Sequence, residues 1–162
     1  MGVCRLLFQY NTSGKLVLGG HEFAVKDCKE TKIFIFDNDE DEDEGRDIIT
    51  KTISMDVWFE EGEFGDETVS PELIINEFPT GKVDPDDFVG MEFEVKTVDE
   101  AEEREDTMYV FEHEPLMNYK WKILDKEGDI FHVTVSGTAI TDGYADPEQT
   151  AEFEGEFWIK SK

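Results

Sequence analysis

Strict alternation of apolar and polar residues constrains this chain more than any other feature. In IFHVTVSGTAI, residues 130–140, Phe131, Val133, Val135, Gly137 and Ala139 fall on one face, with His132, Thr134, Ser136 and Thr138 on the other. In TAEFEGEFWIK, residues 150–160, Ala151, Phe153, Gly155, Phe157 and Ile159 oppose Glu152, Glu154 and Glu156. A period of two marks a strand with one buried face, whereas a helix would scatter these residues around its circumference. The connecting TDGYADPEQ carries DG and DP, both turn formers. The two segments therefore read as an antiparallel hairpin whose outer face sets hydroxyls near carboxylates.

The same pattern sets Met91, Phe93 and Val95 against Glu92, Glu94 and Lys96, and Tyr119, Trp121 and Ile123 against Lys120 and Lys122. Ile49, Ile53, Met55, Val57 and Phe59 give a long strand interrupted on its apolar side by Lys51, and KIFIF, residues 32–36, reads as a strand covered on both sides. With RLLFQY, KLVL, HEFAVKD and TMYVFEH the chain holds about ten strands, separated by turns rich in Gly, Asn, Asp or Pro. LGGHEF reads as a hairpin turn whose glycines take positive φ. Helix signals are few. SPELIINEF offers Ser70 as N-cap and Pro71 at N1, but its LII centre serves equally well as a strand. TVDEAEERED, with only Val98 and Ala101 apolar, reads as an exposed helical turn or polar loop rather than a packed element. The expectation is a single all-β, mainly antiparallel domain over residues 1–162, a β-sandwich or barrel with at most one or two short helices.

Charge narrows the partners. The chain has 41 acidic and 15 basic residues, a net −26. For a chain of this mass the folded surface carries roughly one uncompensated negative charge per 300 Å². Residues 1–36 hold five basic and three acidic residues, so the net negative charge belongs entirely to residues 37–162. Twelve of the fifteen basic residues are lysine, which argues against a salt-adapted surface. Such a field disfavours nucleic acid and anionic membrane and favours basic proteins and cations. No run approaches the ~20 apolar residues of a spanning helix. MGVCRLLFQYN lacks a signal-peptide pattern, and Leu6 stands where myristoylation wants Ser or Thr. A soluble, cytoplasmic protein is expected, in which Cys4 and Cys28 are small apolar residues rather than a bridge.

The densest acidic run, DNDEDEDEG at residues 37–45, raises the question of a metal. An EF-hand frame starting at Asp39 supplies Asp39, Asp41 and Asp43 but puts Glu44 at position 6 and Thr50 at position 12. A frame starting at Glu40 restores Gly45 at position 6 and fails with Lys51 at position 12. With strands on both flanks, the run reads as a solvated connection, a docking surface or a looser oxygen-rich calcium site. His21, His113 and His132 form no zinc spacing, and on a strand Glu112 and Glu114 face away from His113. No nucleophile elbow, phosphate loop or cofactor motif is present, so no catalytic residue and no cofactor is assigned.

The sequence supports three functional readings. The leading one is an acidic interaction module that binds a basic protein, by analogy of charge with immunity-type inhibitors and nucleic-acid mimics. Its expected contact residues are Asp56, Trp58, Glu60, Glu61, Glu63 and Phe64, where aromatic anchors interleave with acids, together with Asp39, Asp41 and Asp43. Phe59 of the same stretch belongs to the apolar face of its strand. The alternative is a β-barrel that encloses a small molecule, with or without hydrolase or isomerase chemistry in a deep polar pocket. The third is a calcium-dependent β module.

Overall fold

The longest strands come from the segments with the cleanest alternation. The structure, a computed structural model, describes residues 11–162. Its elements are β1 (Ser13–Leu18), β2 (His21–Ala24), β3 (Lys32–Asp37), α1 (Asp39–Asp43), β4 (Lys51–Trp58), β5 (Gly62–Phe64), β6 (Glu67–Val69), β7 (Glu72–Pro79), a 3-10 turn (Pro85–Phe88), β8 (Glu92–Val95), α2 (Val98–Arg104), β9 (Thr107–Tyr109), β10 (His113–Glu127), β11 (Ile130–Asp142) and β12 (Gln149–Lys160). The fold is all-β: a ten-stranded sheet in the order β2-β1-β12-β11-β10-β9-β7-β4-β3, with β8 also paired to β10, and a separate β5–β6 ribbon. Every ladder is antiparallel.

The sheet curls into a half-barrel around one apolar interior, and its ends approach one another. Val25 bridges Phe59, with Lys26 N–H donating to the Trp58 carbonyl and Glu60 N–H to the Ala24 carbonyl, each at 2.8 Å. At the other end Ser161 bridges Ile33, and Lys162 N–H reaches the Ile33 carbonyl at 2.9 Å. Curling at this radius favours inner-face positions without side chains, where a Cβ would meet a neighbouring backbone or a core ring. Gly155 lies level with Val135 and Leu16, and Gly137 level with Phe153 and Tyr119, so the two form a diagonal across the long strands. A Cβ on Gly137 would run into the Asn118 carbonyl and the Tyr119 Cα, and one on Gly155 into the Phe157 ring.

The interior holds the residues that alternation assigns to it. Trp121, Tyr119, Phe131, Phe157, Ile53, Met55 and Phe59 are all buried. SPELIINEF resolves as strand β7, because Leu73 and Ile75 point inward and both edges are taken, by β4 and by β9. Ile74 and Ile75, β-branched and adjacent, suit that two-sided pairing better than a helix. KIFIF is β3, but it is covered on one side only: Ile33 is buried while Phe36 is 52% exposed. TVDEAEERED forms a capped helix, α2, with Thr97 Oγ1 accepting from Glu100 N–H at 3.2 Å. It is more packed than its composition suggests, since Ala101 is fully buried. The glycine turn between β1 and β2 has φ of 56° at Gly19 and 83° at Gly20, as its sequence requires. The expected strand RLLFQY, like Cys4, lies outside the described residues.

One polar cluster inside the fold joins the two halves of the sheet. Asp106, fully buried, accepts from Asn76 N–H (2.7 Å) and Arg104 Nε (2.7 Å) and from the Tyr119 hydroxyl (2.5 Å). Arg104 also donates to the Asn76 and Glu77 carbonyls and lies 3.7 Å over the Phe78 ring. Burial, with the Asp106 carboxylate beside it, pushes the Tyr119 phenol well above its ordinary range, so this hydroxyl stays a donor.

Three substitutions test this account by urea unfolding. Asp106→Asn strips a partly buried guanidinium of its counter-charge and is expected to cost about 3 kcal/mol, with Tyr119→Phe costing about 1 kcal/mol. Gly137→Ala is expected to destabilise by about 2 kcal/mol or more, because the obstructing atoms are backbone and cannot turn aside.

Candidate functional site

Burying one face of a curled sheet leaves its outer face open to contact. On β3, β4, β7 and β9 that outer face is unusually apolar. Phe34 and Phe36 stack at 6.2 Å, Trp58 is 37% exposed, and half-buried Ile74 and Tyr109 complete the surface. The strand register fixes two rows across it. One runs Lys32, Asp56, Ile74, Thr107, and the other Trp58, Glu72, Tyr109, His113.

Asp56 and Glu72 sit diagonally within this apolar frame. Burial pushes both carboxyls above the ordinary carboxylate range; Glu72 is further raised by Asp56 and partly relieved by His113. Neither carboxylate has a cation paired to it among the described residues. Lys32, directly across from Asp56, turns its ammonium instead to the carbonyls of Cys28 and Thr31, at 3.4 and 3.2 Å. Two partly desolvated acids beside aromatic rings are thus left with unspent capacity for a cation.

The acidic run forms helix α1 rather than an extended loop, and it starts immediately beyond the Phe36 end of this face. Asn38 caps it, accepting from Glu40 N–H at 3.1 Å. Asp41 departs from the expectation of a surface contact. Its side chain is 3% exposed and both oxygens are engaged, by Arg46 at 2.8 Å and by the Thr50 amide at 2.8 Å and hydroxyl. Those Thr50 hydrogen bonds, with Arg46 nearby, hold its carboxyl below the ordinary range. Asp39 and Asp43 remain exposed.

The expected contact residues therefore divide into three groups. Asp56 and Trp58 share the apolar outer face, and Asp39 and Asp43 flank it. Glu63 and Phe64 belong to the β5–β6 ribbon, where Phe64 packs against His21 (5.1 Å) and Phe111 (6.1 Å), while exposed Glu60 and Glu61 link β4 to that ribbon. Glu72, Phe34, Phe36 and Tyr109 join the face without having been singled out from sequence. The signal for Phe34 and Phe36 is present in KIFIF, whose second face needs a cover. Among the described residues no group of three or more His, Cys, Asp or Glu is arranged to hold a metal, and no helix is long and apolar enough to cross a membrane.

No protein-family model matches the chain, and neither a curated protein nor a solved structure matches it.

The burial of Asp56 and Glu72 has a measurable signature. A carboxyl whose value is raised by folding binds its proton more tightly in the folded chain, so it subtracts stability once the pH exceeds its unfolded value. Asp56→Asn and Glu72→Gln are expected to raise the melting temperature at pH 7. The advantage should fade as pH falls into the ordinary carboxylate range, read by melting curves across pH.

Proposed function

We propose that this chain is an acidic interaction module that docks a basic protein on the outer face of β3, β4, β7 and β9. The observation that carries the reading is the Asp56–Glu72 pair, partly desolvated, without a paired cation among the described residues and framed by Trp58, Tyr109 and Phe34. A lysine or arginine from a partner would complete those carboxylates, and the indole of Trp58 offers its face to the same cation. The exposed aromatics supply the desolvated anchors that charge alone lacks. A standard interface takes roughly 800 Å² from each partner, which would extend this face onto the acids of α1. The net charge of −26 then steers a basic partner toward it and accelerates encounter at low salt.

The test begins with capture of a partner from the native cell extract at low salt, followed by quantitative binding of that purified partner. Trp58→Ala is expected to weaken binding by about 2 kcal/mol, the scale of an aromatic anchor. Asp56→Asn with Glu72→Gln should weaken it as well and flatten its dependence on salt, while Glu152→Gln on the opposite side of the sheet leaves it unchanged. Equal affinity for the native chain and both face variants, or a partner without net positive charge, would rule the reading out.

A further inference from the structure

The other outer face, over β1, β12, β11, β10 and β8, has a different chemistry, and its order is set by register. Glu152, Glu154 and Glu156 project from β12; across the ladder they meet Thr138, Ser136 and Thr134 of β11. Those in turn meet Asn118, Lys120 and Lys122 of β10. A column of carboxylates and a column headed by ammonium groups thus stand two strands apart, about 10 Å, with short hydroxyl side chains between them. Short residues between long ones make a valley. Three overlapping clefts of about 590, 730 and 460 Å³ open along it, and Ser136 lines all three.

The two walls do not neutralise one another. Lys120 turns outward, to Glu92 and Glu94 of β8 at 3.4 Å each, while Lys122 and Glu154 make no ion pair among the described residues. At one end of the valley Trp158 and His132 lie stacked, 4.3 Å between centroids and 10° between planes, and His132 Nε2 is 3.0 Å from Glu156. One face of the indole that lines the first cleft is therefore covered by the imidazole, itself tied to Glu156. In a chain of net charge −26, the charged lining of that cleft is balanced, with Lys15, Lys120 and Lys122 against Glu92, Glu154 and Glu156.

We propose that this valley binds a neutral oligosaccharide. Charge balance in the first cleft removes the advantage of a strongly charged ligand there, and the second, lined by Glu152 and Glu154, disfavours an anion. The walls offer donors on one side, acceptors on the other and hydroxyls able to act as both on the floor, which suits a ligand whose own groups are hydroxyls. Trp158 supplies the flat apolar surface on which the C–H face of a sugar ring packs. From His132 to Thr138 the valley runs about 20 Å, long enough for a chain rather than a single ring. This site is independent of the docking face, and either can fail without the other.

Cellohexaose, chitohexaose and maltohexaose, titrated against the full chain by calorimetry and saturation-transfer NMR, provide the test. At least one is expected to bind at millimolar concentration or tighter, with an affinity that does not change with salt. Trp158→Ala should reduce it about tenfold or more, and Ser136→Arg, which fills the floor from an exposed position, should abolish it while leaving the melting temperature unchanged. Trp58→Ala should have no effect. The proposal is overturned if no hexaose gives a signal, if binding survives Ser136→Arg, or if a heparin hexasaccharide binds better than every neutral one.

Discussion

In the hydrogen-bonded order of the sheet, its two halves meet through β9, which is three residues long. So short a ladder does not define a register unaided, and Asp106, the residue just before it, supplies further fixed points. One carboxylate oxygen holds the backbone of β7, and the other holds Arg104 of α2 and Tyr119 of β10. Its own carbonyl accepts from Leu116 N–H of β10 at 3.0 Å. Desolvating these charges offsets much of what their attraction contributes, so the cluster matters more for choosing one register than for net stability. Both outer faces inherit that register. The row Trp58, Glu72, Tyr109 depends on how β9 meets β7, and the position of Lys120 follows from its neighbour Tyr119.

Self-repulsion is the second constraint, and the fold distributes it unevenly. Apart from buried Asp41, the acids on α1 and on the connection after β4 are exposed, where water and salt screen them. The face over β8, β10, β11, β12 and β1 interleaves lysines with its glutamates and so adds little to the field. The face over β3, β4, β7 and β9 does the opposite: it draws two carboxylates into an apolar frame and, among the described residues, leaves them without a cation. Above the ordinary carboxylate range the isolated chain is expected to be more stable without that arrangement. Residues that lower the stability of a fold while sitting on its accessible surface point to a use that stability does not explain.

The strands are legible in the sequence because period two survives in short windows, and the all-β fold follows from it. IFHVTVSGTAI and TAEFEGEFWIK even give the correct pairing of hydroxyls with carboxylates, since a hairpin connects them and its turn sets their register. The features that stay hidden depend on residues distant in sequence. Phe34 and Phe36 look like half of a doubly covered strand, and only the three-dimensional arrangement shows Phe36 left exposed. Glu72 looks like the start of a helix until β4 and β9 pair on either side of it. The curl itself rests on Gly137 and Gly155, which read from sequence as gaps in an apolar series rather than as positions where a neighbouring backbone or a core ring fills the space of a Cβ.

Acid-rich runs illustrate why composition alone misplaces a site. DNDEDEDEG and DEAEERED look alike as strings, yet each conceals one carboxylate with a structural task, Asp41 closing a loop onto Thr50 and Asp106 joining two half-sheets. What separates these from their neighbours is a fixed donor: Arg46 five residues on, Arg104 two residues back. Asp56 and Glu72 are the converse case, burial without a donor. A carboxylate's role is thus decided by whether the fold brings it a cation in exchange for the water it removes. Where the fold removes water and brings no cation, as at Asp56 and Glu72, the carboxyl holds its proton more tightly instead.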